Sequence, residues 1–430
     1  MQRRELLRYL AGAAAAPLLP SLACGAGIVP HASSSLSSED DAFLDDMQRR
    51  AMRFFWEQAS PKTGQVLDRA RWDNTTGKID SRPMASIACT GFALTAFCIA
   101  DKRGYMPHAQ LLERVRTTLR FHAHKMETVH GFLSHFNDVE TGYPYQGSEI
   151  SPIDTTLLLC GVLTAREHFK QDAEVQKLAT EIYNRVEWPW MLNGGTTFAM
   201  GYRNNQFINS RWDHYCELMM MVLLAMGSPT HPVEPSAWDA FTRPVMEFGE
   251  YKYISSHDPL FVHQYSHAWF DFRNKRDKYA NYFENSAIAT KAHEAWCISL
   301  GKPYSEDYWG VSASDSANGY QAWGGPPKLG TVDGSVVPYA SAGSLPFVPD
   351  ACMRVQKSLK AKYGDKVYGR YGFRDAFHPD ANWYDDDVLG IDLGISIVMA
   401  ENLRTGFVWN TFMKNPEVLK AMKLAGFRPE

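Results

Sequence analysis

What the chain has little of narrows its function first. Cysteine is sparse, seven in 430 residues. None stands in a CxxC pair, so neither a zinc framework nor a disulfide scaffold is indicated. Cys89, Cys98, Cys160, Cys216, Cys297 and Cys352 lie in apolar stretches and read as buried thiols. A basic surplus is missing as well. Lys+Arg 44 against Asp+Glu 48 leaves a formal charge of -4, which argues against nucleic acid as a partner. No GxSxG elbow, Gly-rich phosphate loop or dinucleotide fingerprint follows a strand and opens a helix, so esterase, kinase and oxidoreductase chemistry lack a signal and no cofactor is expected. Beyond the N-terminus, no apolar run is long and uncharged enough to span a bilayer.

What is present begins with a targeting segment. Arg3-Arg4 precede an apolar run from Tyr9 to Ala23, so residues 1–30 read as an export signal of twin-arginine form, with an ordinary secretory signal as the alternative. Ser21-Leu22-Ala23-Cys24 resembles a lipoprotein box with its leucine misplaced. Residues 31–40 then form a polar lead-in and 41–430 one large domain. The expectation is a periplasmic or secreted protein without a membrane span in its mature form.

Two kinds of helix alternate along that domain. Ser86 to Ala100, Ile153 to Ala165, Tyr215 to Met226, Ser286 to Leu300 and Ile391 to Ala400 are nearly charge-free and must be surrounded by protein. Ala109 to Lys125, Asp172 to Val186, Ala237 to Phe248, Ala351 to Tyr363 and Pro416 to Gly426 carry charges at helical spacing and read as an outer layer. Apolar helices starting near Ser86, Ser151, Trp212 and Glu284 recur at roughly sixty residues, the length of a helical hairpin with its connections. With an opening helix from Asp41 to Gln58 and a loop-rich hairpin after Ser344, six hairpins result. That predicts an all-α, (α/α)6 toroid with loop-rich decorations on one rim, including a short strand at Val332 to Pro338. An open α-solenoid is the alternative fold.

The Gly-rich, aromatic connections before the apolar helices each carry a carboxylate, and 13% of the chain is aromatic with 12 Trp. Paired carboxyl groups beside aromatic walls suit glycoside hydrolysis, where one acid protonates the leaving oxygen and an ionised partner activates water. Glu149 stands just before an apolar helix near Tyr143 and Tyr145, where partial burial would suit a general acid. The alternative is a surface glutamate favouring the helix dipole. Asp154 follows Ser151 and Pro152 and is either a catalytic acid or the acid of a capping box. Asp392 opens the last apolar helix and is a candidate base or a cap. Asp385 to Asp387 raise the thought of calcium, but three adjacent acids cannot all face one ion. His263-Gln264-Tyr265-Ser266-His267 with Asp271 raises zinc, yet Gln264 stands where an HExxH motif has its glutamate, so sugar-binding or networked histidines are preferred. Trp212-Asp213-His214-Tyr215 with Glu217 reads as a structural or substrate-positioning network.

At this point a resemblance can be stated. Phe54-Phe55-Trp56-Glu57, Ser86-Ile87-Ala88, Gly131-Phe132, His135-Phe136, Ser148-Glu149, Ile153-Asp154-Thr155, Trp212-Asp213-His214-Tyr215, His263 to His267, Asp271-Phe272-Arg273, Tyr282 to Ser286, Trp309-Gly310, Ala313-Ser314-Asp315 and Gly390-Ile391-Asp392 occur in one order. In these stretches the chain resembles the glycoamylase-like domain proteins, including the endo-β-1,2-glucanases of glycoside hydrolase family 144, from about Phe54 to the C-terminus. The resemblance implies an (α/α)6 barrel and metal-independent, inverting, internal cleavage of a β-1,2-linked glucan. By position it implies Glu149 as proton donor and Asp392 as base, with Tyr265, His267, Trp269, Arg273, Trp309 and Trp323 lining the groove. Tyr145, Trp212, His263, Glu284 and Trp383 complete the candidate substrate contacts. The family's last motif often reads Gly-Ile-Asp-Gln-Gly-Pro; here Leu393 and Ile395 replace the Gln and Pro. Rival functions are an exo-acting hydrolase, a transglycosylase and a glucan-binding protein without catalysis.

Overall fold

A computed structural model describes residues 36–256, 259–326 and 332–430. The export signal and Cys24 lie outside the described residues. In chain order the elements used below are α1 (Ser38–Glu57), β1 (Arg69–Arg71), β2 (Met84–Ser86), α2 (Ile87–Arg103), α3 (His108–His124), β3 (Phe136–Asp138), α4 (Pro152–His168), α5 (Ala173–Asn184), α6 (Leu218–Gly227), β4 (Val245–Phe248), β5 (Tyr251–Ile254), α7 (Tyr265–Trp269), α8 (Tyr282–Ser299), α9 (Pro338–Ala342), α10 (Pro349–Tyr363), β6 (Asp387–Leu389), α11 (Gly390–Thr405), α12 (Phe407–Phe412) and α13 (Pro416–Leu424).

The inner ring is set by polarity. Every residue of α6 is buried, as are all of α2 up to Ala100 and α4 up to Arg166. Each needs neighbours on every side. α2 packs on α4, α4 on α6, α6 on α7, α7 on α11, and α11 on both α9 and α2. The ring closes where the Gln264 side-chain amide donates to Ala340 O at 2.7 Å and Ser344 Oγ at 2.8 Å, tying the start of α7 to α9. Outside lie α1, α3, α5, α8 and α10. This is the six-hairpin (α/α)6 toroid expected from the alternation.

Three stretches differ from the expectation. α8 leaves Glu284, Lys291 and Ile298 exposed and so belongs to the outer layer; the short α9 takes the inner place. The amphipathic stretch Ala237 to Phe248 is not a helix. A 3-10 turn at Pro235–Trp238 is followed by the β4–β5 hairpin. Pro244 has no N–H to give a helix, and Gly249 takes φ 56° in the hairpin turn. Val332 to Pro338 forms no named strand: Val336 makes one isolated bridge to Phe377, and Pro338 begins α9.

Close approach explains glycines inside the inner helices. A Cβ on Gly91 of α2 would lie 2.2 Å from Leu157 O of α4, and one on Gly161 of α4 would lie 2.0 Å from Gly91 O. The backbones of these two helices touch. Gly390 and Gly394 likewise leave room for Cys89, Phe54 and Phe92, so the first turn of α11 is pressed against α1 and α2. Asp392 sits between those two glycines.

Candidate functional site

The inner helices α2, α4 and α11 begin at one rim, and short strand pairs carry the chain into them. β1 pairs antiparallel with β6, placing Arg69 opposite Leu389, and Gly390 N donates to Asp68 O at 2.8 Å. β2 pairs with β3, leading Ser86 into α2, where its hydroxyl accepts from Cys89 N. Before α4, His135 N donates to Glu149 O, Ser151 N donates to Leu133 O, and Ile150 exchanges both backbone bonds with Tyr202. Glu149 is therefore fixed by its backbone on both sides and is 4% exposed. Gly201 is required beside it, since a Cβ there would meet Glu149 Cγ at 3.2 Å.

His135 joins the carboxylates of this side. Its Nδ1 lies 3.3 Å from Glu149 Oε1 and its Nε2 3.6 Å from Asp154 Oδ1. Half of the expected capping box is present: the Asp154 backbone N–H donates to Ser151 Oγ at 3.1 Å, but the Ser151 N–H goes to Leu133 O and the Asp154 carboxylate instead accepts from the Ser151 hydroxyl at 2.5 Å. The remaining oxygen still faces His135, so Asp154 positions the imidazole that touches Glu149. Across the first turn of α2, burial drives the Cys89 thiol well above its ordinary pKa, followed by the charges of Asp68, Asp392 and Asp154. Asp154 of α4 and Asp392 of α11 thus both act on one buried thiol between them.

The Asp392 side carries more acid than the sequence reading recognised. Asp68, Asp315, Asp375, Asp385, Asp387 and Asp392 are clustered about two guanidinium groups. Arg69 lies 3.1 Å from Asp68, 2.6 Å from Asp315 and 3.8 Å from Asp387. Arg82 lies 2.7 Å from Asp387 and 2.8 Å from Asp80. Burial alone would lower the Arg69 pKa, but Asp68 and Asp315 outweigh it and hold the group well above its usual value. Two cations shared with Asp80 cannot neutralise six carboxylates, and the excess appears as proton affinity. Burial, then Asp375 and Asp315, push Asp385 up to about 8. Burial, then Asp392, raise Asp375 well above the carboxylate range. Asp315, Asp375 and Asp385 present oxygens within 4.8 Å of one another. Asp375 Oδ1 and Asp385 Oδ2 are buried without a hydrogen-bond donor among the described residues.

Aromatic rings stand beside this cluster. Trp323 donates to Ser314 Oγ at 3.2 Å, next to Asp315. Trp383 is half-buried on the hairpin that continues to Asp385. Arg374 lies 3.7 Å over the Trp72 ring and donates to Asp385 O. Tyr145 is half-buried in the loop before Glu149. Trp212, 4% exposed, pairs with Phe198 in a short ladder before α6, and the buried Glu217 immediately precedes α6.

Several expected groove residues lie elsewhere. Arg273 is paired with Asp271 at 2.9 Å, stacks 4.1 Å over Trp409, and approaches Gly406, beyond the last turn of α11. At 1.5 Å rise per residue that is about 21 Å from Asp392 along the helix axis. His267 O accepts from Trp409 Nε1, and its own Nε2 meets Ser286 Oγ at 3.1 Å. Trp269 donates to Thr95 Oγ1 in the middle of α2. Trp309 and Tyr265 are core rings, 0% and 1% exposed. His263 is held by the Tyr215 hydroxyl at 3.1 Å and Ser255 Oγ at 3.2 Å. Glu284 is exposed on the outer helix α8, beside Asn281, which is bonded to Glu430. Burial holds the His263 and His267 pKa values down to about 3, so both rings are neutral packing elements. Burial among protein partners accounts for the placement of these five aromatic and imidazole groups.

A glycoamylase-like (α/α)6 toroid with two groups of buried carboxylates at one rim is the class that fold and site define. Residues 209–416 match the Glycoamylase family, described as "Putative glucoamylase". It is similar to an exo β-1,2-glucooligosaccharide sophorohydrolase of Parabacteroides distasonis, 29% identical over 89% of this chain and 58% of that protein. The chain therefore spans less than two thirds of the length of that relative. Among solved structures it is similar to the endo-β-1,2-glucanase of Chitinophaga pinensis, at 28% identity and TM-score 0.83, covering 92% of this chain and 99% of that one. The β-1,2-glucanase of Parabacteroides distasonis follows at 26% identity and TM-score 0.81, covering 90% and 60%. An endo-β-1,2-glucanase of Talaromyces funiculosus, 11% identical with TM-score 0.64 over 90% of this chain and 92% of that one, shares the fold.

Proposed function

We propose that the chain is a glycoside hydrolase that cleaves β-1,2-glucan by inversion, with Glu149 as proton donor and Asp392 as the base. The observation that carries this reading is the placement of buried carboxylates at the start of neighbouring inner helices, α4 and α11, on either side of α2. Glu149 is surrounded by protein and faces His135, as a group that must hold and release a proton requires. Asp392 lies among acids and beside Arg69's partners, where a water can be polarised. Inversion needs carboxyl groups roughly 6.5–9.5 Å apart with water between them, or a longer span with a relay.

Internal cleavage is the mode proposed, supported by the match to 99% of the Chitinophaga endo-enzyme. Export to the periplasm or beyond is proposed from the N-terminal signal alone. No helix among the described residues is long and apolar enough to cross a membrane. The test is to incubate the purified protein with linear and cyclic β-1,2-glucan and with other β-glucans. Internal cutting gives a ladder of oligosaccharides, end-cutting a single short product, and transfer gives longer or cyclic ones. Glu149→Gln is expected to abolish the ladder with the fold retained; near-normal turnover removes Glu149 from the donor role.

A further inference from the structure

Asp375 and Asp392 line one cavity, where burial and then the charge of Asp392 raise the proton affinity of Asp375, and an ionised carboxylate can only accept. Asp375 Oδ2 is already served by Asp315 N–H at 2.8 Å, whereas Asp375 Oδ1 has no donor among the described residues. Asp375 is 4% and Asp392 6% exposed. Their cavity is small and walled mostly by apolar groups such as Met47, Ala51 and Leu393, with Gln356, Ser396 and Arg374 among its other polar members. Two like charges in such a medium cannot both persist, and a single proton between them removes the repulsion and supplies the missing hydrogen bond.

The geometry points to a shared-proton pair in which Asp375 carries the proton and donates it as a hydrogen bond to the carboxylate of Asp392. Asp375 is then a positioning residue: it keeps Asp392 ionised and fixes which oxygen faces the attacking water. This rests on the reading of Asp392 as the base. The surroundings agree on where the proton resides. Asp315 presses negative charge on Asp375 from its own loop, and Asp375 in turn acts with Asp315 and Asp387 on the neighbouring Asp385. Arg69 is engaged by Asp68 and Asp315, and Arg82 by Asp80 and Asp387. Arg374 donates to backbone oxygens of Lys366 and Asp385 and not to Asp375. The Arg69 guanidinium occupies the Asp315 side of the cluster, which favours a proton over a metal ion as the missing positive charge.

Two measurements test the pair. The first is independent of any activity: thermal unfolding of wild type, Asp375→Asn and Asp392→Asn across pH. A carboxyl whose folded-state pKa is raised stabilises below that pKa and loses the contribution as pH rises through it. The wild-type Tm should therefore fall relative to Asp375→Asn as pH climbs from the ordinary aspartate range upward, since asparagine donates without a titrating proton. Parallel curves overturn the proposal. So does calcium chloride titration in which Ca2+ binds wild type stoichiometrically and Asp375→Asn not at all, because the orphan oxygens would then be cation ligands. The second is kinetic, on β-1,2-glucan: Asp375→Ala should lower kcat about 100-fold with KM little changed, and Asp375→Asn should recover most of that loss. Equal losses in both variants contradict a donor role. Inactivity of the wild type on every glucan would defeat the proposed function, while the pH–stability comparison would still decide the pair.

Discussion

Gly91→Ala tests the contact on which the rim depends. In an exposed helix this change would stabilise by about 1 kcal/mol, because alanine loses less backbone freedom than glycine. Here the added methyl would lie 2.2 Å from Leu157 O and 2.7 Å from both Leu157 C and Leu158 Cα. These are backbone atoms of α4, which no rotamer change can move aside. The two helices must separate, and overpacking of this kind costs about 1–3 kcal/mol, more where backbone is involved. Set against the propensity gain, the net expectation is a destabilisation of about 2 kcal/mol. Urea unfolding followed by circular dichroism should show a lower midpoint with an unchanged m-value. Activity should fall further than stability, since α2 and α4 carry the groups flanking Cys89. A variant as stable as wild type would refute the idea that touching backbones fix the rim.

Further outcomes follow from the same geometry. Arg273→Ala is expected to leave kcat/KM on β-1,2-glucan within about threefold of wild type, because the side chain lies at the far end of α11; a large loss would return Arg273 to the groove. Glu149→Gln should cost at least 100-fold in kcat and Glu217→Gln markedly less; the reverse order would transfer the donor role to the carboxylate before α6. Asp80 is pulled down to about 2, burial opposing the shift and the hydrogen bonds from Arg82 outweighing it. Its contribution is present above the ordinary aspartate pKa and lost as pH falls towards 2. Wild type should therefore exceed Asp80→Asn in Tm at neutral pH and converge with it in acid, as acid titrations would show.

Much of the fold was written in helix polarity. Charge-free stretches at Ile87, Pro152 and Gly390 became inner helices within a few residues of their expected starts. The error at α8 has a physical origin: its exposed face is formed by only a few polar side chains, so average polarity did not separate it from the inner ring. The hairpin at β4–β5 was missed because Pro244 and Gly249 were outweighed by charges at helical spacing. In the proposed site, Glu149, Asp154 and Asp392 stood out in the sequence because they precede or open apolar helices. Asp68, Asp315 and Asp375 were not, since their proximity depends on the antiparallel pairing of β1 with β6 and on loops distant in sequence. The surplus of Asp in Gly-rich connections was the one available signal. The histidines and tryptophans near α7 misled because a buried ring and a sugar-stacking ring look alike in sequence; burial and partners separate them.

The central claim is that one sugar chain is held between Glu149 and Asp392 at the common rim. The most direct test is a crystal structure of Glu149→Gln soaked with a β-1,2-linked gluco-oligosaccharide. The account predicts a glycosidic oxygen within hydrogen-bonding distance of the residue-149 side chain, with Asp392 on the opposite face of the same sugar or linked to it through a water or a substrate hydroxyl. An oligosaccharide bound away from both residues would contradict it.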